Sequence, residues 1–138
     1  MKSYDVIIIG GSCAGLAAAI YTGRRALKTL VITKDIGGQA ATTFDIENYP
    51  GIDHTTGPDL MRGMQKQAEK FGAEIMIGEV LSVAKLPGNQ TTSKPDNQTT
   101  NFIVRSTAGD FETKAVILAF GLTHRKLEVP GEKELTGH

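Results

Sequence analysis

The thirty-odd residues from Tyr4 onward restrict the fold most. Tyr4 to Gly10 (YDVIIIG) is a continuous β-branched run, the pattern of a central parallel strand buried on both faces. Ala14 to Arg25 reads as a helix, rich in the alanine that suits close packing on a sheet and ending in two arginines near its negative pole. Thr29 to Thr33 (TLVIT) is a second short buried strand. Strand, glycine turn, helix and strand in this order make a βαβ unit, which commits its two strands to lie parallel.

The remaining elements are read from period and punctuation. Residues Ile36 to Thr56 carry Gly37, Gly38, Pro50 and Gly51, and form a longer loop than a compact domain keeps without a use for it. Pro58 to Phe71 resumes helical spacing through Leu60, Met61, Met64, Ala68 and Phe71, and its apolar stripe is expected in the core. Gly72 stops this helix and Ala73 to Ile77 follows as a third strand. Val80 to Leu86, Phe102 to Ser106 and Phe111 to Lys114 are expected as three antiparallel strands, the last two joined at Gly109. Ala115 to Ala119 (AVILA) is read as one more buried strand, before Gly121 and a polar tail with a Pro130-Gly131 turn. Residues 88–101, in which NQTT occurs twice, are expected as a polar loop insertion. The fold class is α/β and Rossmann-like: a parallel sheet with flanking helices plus a small antiparallel β-meander, with residues 1–138 as one domain.

Composition removes several functions. Fifteen basic and 15 acidic side chains leave no excess of Lys and Arg for a phosphate backbone, so no nucleic-acid partner is expected. The single cysteine, Cys13, allows no intrachain disulfide, and no Cys/His cluster supplies the ligands of a zinc site. A reducing compartment, the cytoplasm, is the expected location. The uncharged run from Val6 to Ile20 imitates a signal peptide, but Asp5 stands where positive charge is needed and Gly10-Gly11-Ser12 splits it. No other segment approaches the ~20 apolar residues of a membrane span. Without a secretion signal the N-x-T sequons at Asn89 and Asn97 carry little meaning.

The first candidate site is the turn Gly10-Gly11-Ser12-Cys13-Ala14-Gly15, placed between strand and helix as a dinucleotide-binding turn must be. Gly10 permits the tight turn, the helix N-terminus offers N–H groups and dipole to a pyrophosphate, and Gly15 lets helix and strand approach. Ser12 replaces the usual middle glycine; its side chain either crowds the phosphate or donates a hydrogen bond to it. An acidic residue normally closes the second strand and holds the ribose, but Thr33 stands there, a partial substitute, with Asp35 two residues on. Asp35 is either a ribose ligand or a solvated loop residue. Cys13 is either a thiol activated by the helix N-terminus or a packing group.

The second candidate is the loop GGQAATTFDIENYPG, Gly37 to Gly51. With VIIIGGSCAGLAAAIY before it, and VILAFG and RKLEVPGE after it, this chain resembles thioredoxin reductase, a flavoprotein of the pyridine nucleotide-disulphide oxidoreductases. The resemblance spans the chain apart from residues 88–101. It implies an FAD-binding domain in which Gly10, Ser12, Cys13, Ala14 and Gly15 line the pyrophosphate. Lys34, Asp35, Gly37, Gly38 and Gln39 lie along the ribityl chain and ring, Asn48 hydrogen-bonds the cofactor, Val80 meets the adenine through its backbone, and Gly121 sits beside the flavin. Two positions depart from the family: Phe120 replaces threonine and Cys13 replaces proline.

The resemblance also implies a longer parent enzyme that passes electrons from NADPH through FAD to the disulfide of a thioredoxin-like partner, as a homodimer. Its NADPH domain, its Cys-x-x-Cys pair and its closing flavin segment have no counterpart in these 138 residues. The expectation is therefore a partial chain with no catalytic residues of its own, inactive alone, weak in FAD binding, and exposing surfaces meant for the other segments. Two alternatives stay open: a non-catalytic FAD- or nucleotide-binding module, and part of a ferredoxin-NADP reductase-like enzyme that lacks the dithiol. A small NAD-linked dehydrogenase is disfavoured, because His54, His124 and His138 are isolated and form no catalytic set.

Overall fold

The structure, a computed structural model, describes residues 1–86, 101–122 and 129–131. The tract 88–100, His124, His138 and most of RKLEVPGE lie outside the described residues. The elements are β1 (Lys2–Gly11), α1 (Cys13–Arg24), β2 (Thr29–Ile36), a short 3-10 helix (Gly38–Thr42), α2 (Gly57–Lys70), β3 (Glu74–Ile77), β4 (Val80–Lys85), β5 (Phe102–Ser106) and β6 (Gly109–Leu118). The loop after β2 thus contains one helical turn. It also contains a small irregular hairpin held by bridges between Ile46 and Thr55 and between Tyr49 and Ile52.

One six-stranded sheet takes the order β3-β2-β1-β6-β5-β4. Strand β1 is central and parallel to both neighbours, with Ile8 opposite Val31 of β2 and Ile117 of β6. This explains its unbroken apolar sequence: Ile7 and Ile8 are fully buried on opposite faces. The expected strands Phe111–Lys114 and Ala115–Ala119 are a single strand, β6. Its first half pairs antiparallel with β5, and from Phe111 to Leu118 it runs parallel beside β1. A polar residue, Lys114, interrupts the apolar pattern within it, so periodicity alone divided it in two.

The two outermost strands, β3 and β4, are joined by only Gly78 and Glu79. Such a link cannot cross a flat sheet of six strands, which lie ~4.8 Å apart. The sheet instead coils until its ends approach. Gly78 N–H donates to the Thr33 carbonyl (2.8 Å), and the Glu79 carbonyl accepts from Thr107 N–H (2.9 Å). The meander β4-β5-β6 consequently covers one face of the parallel strands. There Val104 and Phe111 pack with Tyr4, Ile7, Leu30 and Ile32, and the Tyr4 and Phe111 rings meet edge-on at 6.0 Å.

Both helices cover the opposite face. Ala19 of α1 and Ala68 of α2 pack against Val6, Ile8 and Val31, while Leu16 meets Leu60, Met61 and Met64 between the helices. Thr56 caps α2, accepting from Asp59 N–H at 3.3 Å, with Pro58 in the first turn where its missing N–H costs nothing.

Candidate functional site

The turn after β1 is built by two glycines that nothing larger can replace. A Cβ on Gly15 would lie 1.8 Å from the Gly10 carbonyl oxygen. Gly10 itself has φ +111°, and a Cβ there would lie 2.2 Å from the Ala119 carbonyl oxygen, because the end of β6 crosses directly behind the turn. Helix α1 therefore starts against the C-terminal ends of β1 and β6. Its first turn has no acidic residue, and the hydroxyl of its N-cap, Ser12, does not cap it. Cys13 and Ala14 are exposed at this end, with the Cys13 Sγ 3.8 Å from Met61 Sδ of α2.

A closed set of hydrogen bonds ties this turn to the loop after β2. Gly11 N–H donates to the Thr33 hydroxyl (2.9 Å), and Thr33 donates to the Asp35 carbonyl (2.5 Å). The Asp35 carboxylate accepts from Gly38 N–H (2.8 Å). Gly37 N–H donates to the Gly11 carbonyl (2.8 Å), and the Gly37 carbonyl accepts from the Ser12 hydroxyl (2.6 Å). Thr33 is thus buried and engaged inside the fold, which corrects its reading as a partial ribose ligand. The signal for its role was its place at the end of a buried strand, where a polar side chain needs an internal partner.

The other predicted positions fall around this pair of loops. Lys34 ion-pairs with Glu79 at 2.7 Å, both side chains exposed, where the Gly78–Thr33 backbone bond already brings the start of β4, and so Val80, beside the end of β2. Gln39 lies 3.4 Å through its amide from the Leu122 carbonyl, bringing it near Gly121, which is exposed with φ +65°. Phe120 is exposed as well, at 67 %. Val80 is half-buried and packs on the Tyr4–Phe111 core. Asn48 sits apart, exposed in the Ile46–Thr55 hairpin, where residues 47–53 line a shallow, open depression. His54 is not isolated as the sequence suggested: its Nε2 lies 3.1 Å from the Asp45 carboxylate across the foot of that hairpin. The two residues are nine apart in sequence and only the hairpin pairing joins them.

Among the described residues no helix is long and apolar enough to cross a membrane.

Residues 4–138 match the sequence family described as pyridine nucleotide-disulphide oxidoreductase. The chain is 43% identical over 137 residues to thioredoxin reductase of Bacillus subtilis, and 42% identical over 139 residues to that of Listeria monocytogenes. These alignments cover 99% of this chain but 40% and 39% of the relatives. The solved thioredoxin reductase of Lactococcus lactis superposes with a TM-score of 0.78 at 39% identity, over 95% of this chain and 40% of that one. That of Streptococcus pyogenes gives 0.79 at 38%, over 96% and 40%. The six-stranded coiled sheet with its helical layer is thus the Rossmann-like, FAD-binding fold of the thioredoxin reductases, and the chain spans about two fifths of the relatives it matches. By its sequence along nearly its whole length, the chain belongs to the pyridine nucleotide-disulphide oxidoreductase family.

Proposed function

We propose that this chain binds FAD as the flavin-holding part of a longer thioredoxin reductase-like enzyme. The observation that carries the reading is the state of the α1 N-terminus: no side-chain cap, no acidic first turn, and a glycine turn locked to the loop that follows β2. Uncapped first-turn N–H groups at the positive end of a helix are donors suited to a pyrophosphate. Gly10, Ser12, Cys13, Ala14 and Gly15 would surround it. Lys34, Asp35, Gly37, Gly38 and Gln39 would border the ribityl chain and ring, with Val80 on the adenine side and Gly121 next to the flavin. Asn48 would join them from the hairpin.

Bound FAD supplies two-electron chemistry between a nicotinamide and a disulfide. The chain's own residues hold and orient it; none serves as a catalytic acid, base or nucleophile. A dithiol relay needs two cysteines and this sequence has one, so the NADPH site, the redox pair and the thioredoxin-like disulfide partner belong to the longer protein. A cytoplasmic homodimer is the setting that fits this role.

The test is an absorbance titration of the purified chain with FAD kept in solution, with circular dichroism as a check on folding. A saturable shift of the flavin band at weak affinity, reversed by excess ADP, is expected. A folded chain that gives no saturable shift with FAD and does not bind ADP would overturn the reading.

A further inference from the structure

Ser12 stands at the N-cap of α1 in extended conformation (φ −107°, ψ −165°), where a serine hydroxyl ordinarily accepts from its own helix. Here it does not. The hydroxyl turns outward and donates to the Gly37 carbonyl at 2.6 Å. The same glycine donates its N–H to the Gly11 carbonyl at 2.8 Å, so the Gly37 residue is held at both polar atoms by residues of the first turn. A glycine at position 12 would leave only the second of these bonds, which Gly11 makes.

We propose that Ser12 is a positioning residue for the flavin site, a latch that fixes the Gly37–Gln39 loop against the pyrophosphate turn. This inference rests on the flavin reading above. By directing its hydroxyl to Gly37, Ser12 has two effects. It leaves the first-turn N–H groups of α1 unclaimed for an anion. It also sets the distance between the loop that meets the ring and ribityl chain and the turn that meets the phosphates, so that one ligand engages both without first ordering the loop. The hydroxyl is therefore a protein–protein donor rather than a phosphate ligand, and the middle residue of the turn contributes through preorganisation.

Ser12→Ala, Ser12→Gly and Ser12→Thr test this on the whole chain by two readouts. In the absence of ligand, amide exchange at Gly37, Gly38 and Gln39 should quicken in the Ala and Gly variants and return to the wild-type rate in Thr, while the buried α1 amides from Leu16 to Ala19 stay unchanged. FAD affinity should fall about 5-fold in Ala and Gly, the equivalent of one net hydrogen bond, and recover in Thr. Unchanged loop exchange in Ser12→Ala overturns the latch. Changed exchange with unchanged FAD affinity overturns the positioning role, and tighter FAD binding by Ser12→Gly overturns it in favour of simple crowding by the side chain. A wild-type chain that binds no FAD overturns the flavin reading and the positioning role together, an outcome distinct from all of these because wild type and variants then behave alike.

Discussion

At the scale of single residues, the site is governed by atoms that are missing as much as by those present. Gly15 is the sharpest case, since a Cβ would sit well inside the van der Waals envelope of the Gly10 carbonyl. Relief would require α1 to move off β1, and Leu16, Ala19 and their contacts with the sheet would move with it. Gly15→Ala is expected to cost on the order of 1–3 kcal/mol or more, as overpacking does. Chemical denaturation checks this, and a variant within 0.5 kcal/mol of wild type would show that the helix has room to retreat. The glycines and the strand–turn–helix order were legible in the sequence, because spacing reports them directly. The roles of Thr33 and Ser12 were not. A hydroxyl near a ligand-binding turn has the same letter whether it faces the ligand or the protein, and only the placement of the opposite loop decides.

At the scale of elements, the N-terminal ends of the strands are pinned by a polar cluster remote from the cofactor turn. The Lys2 ammonium and the Tyr4 hydroxyl both donate to the same Glu74 carboxylate oxygen, at 2.6 and 2.8 Å, tying β1 to β3 across β2. The Lys2 hydrogen bond, then the Tyr4 one, holds the Glu74 carboxyl below its ordinary value. A depressed carboxylate pKa stabilises the fold above the unfolded value, about 4.3, and that contribution is lost as pH falls through the folded one. Glu74→Gln should therefore lower the melting temperature at pH 7 by more than at pH 3, a gap read from thermal unfolding at the two pH values. An equal difference at both would mean that the charge of Glu74 contributes nothing. The elements themselves were largely visible in the sequence: α1, α2, β2 and the meander strands fall within a few residues of expectation. The division of β6 was wrong because a strand that loses one of its two partners midway changes its burial pattern there. Its first half places alternate residues in the core, whereas its second half, beyond the end of β5, has no described partner on the side away from β1.

At the scale of the whole molecule, the order of strands in the sheet matters more than their number. Central β1 is made within the first residues of the chain, yet one of its two neighbours, β6, ends more than a hundred residues later. Its expected layers were flanking helices without a stated side; both helices lie on one face because the coiled meander occupies the other. The consequence concerns synthesis. A ribosome adding ~5–20 residues per second finishes β2 roughly 4–16 s before it finishes β6. Throughout that interval, one edge of the described strand with the most buried residues has no partner to close it. A chain ending at Ser106 should mimic the waiting state, binding a hydrophobic dye and losing near-ultraviolet dichroism relative to the 138-residue chain; equal signals from both would mean that β1 needs only β2 and the helices. For a nascent β1, the nearest hazard is then another copy of itself on a neighbouring ribosome, and the interval before β6 arrives sets how long a chaperone has to shield it.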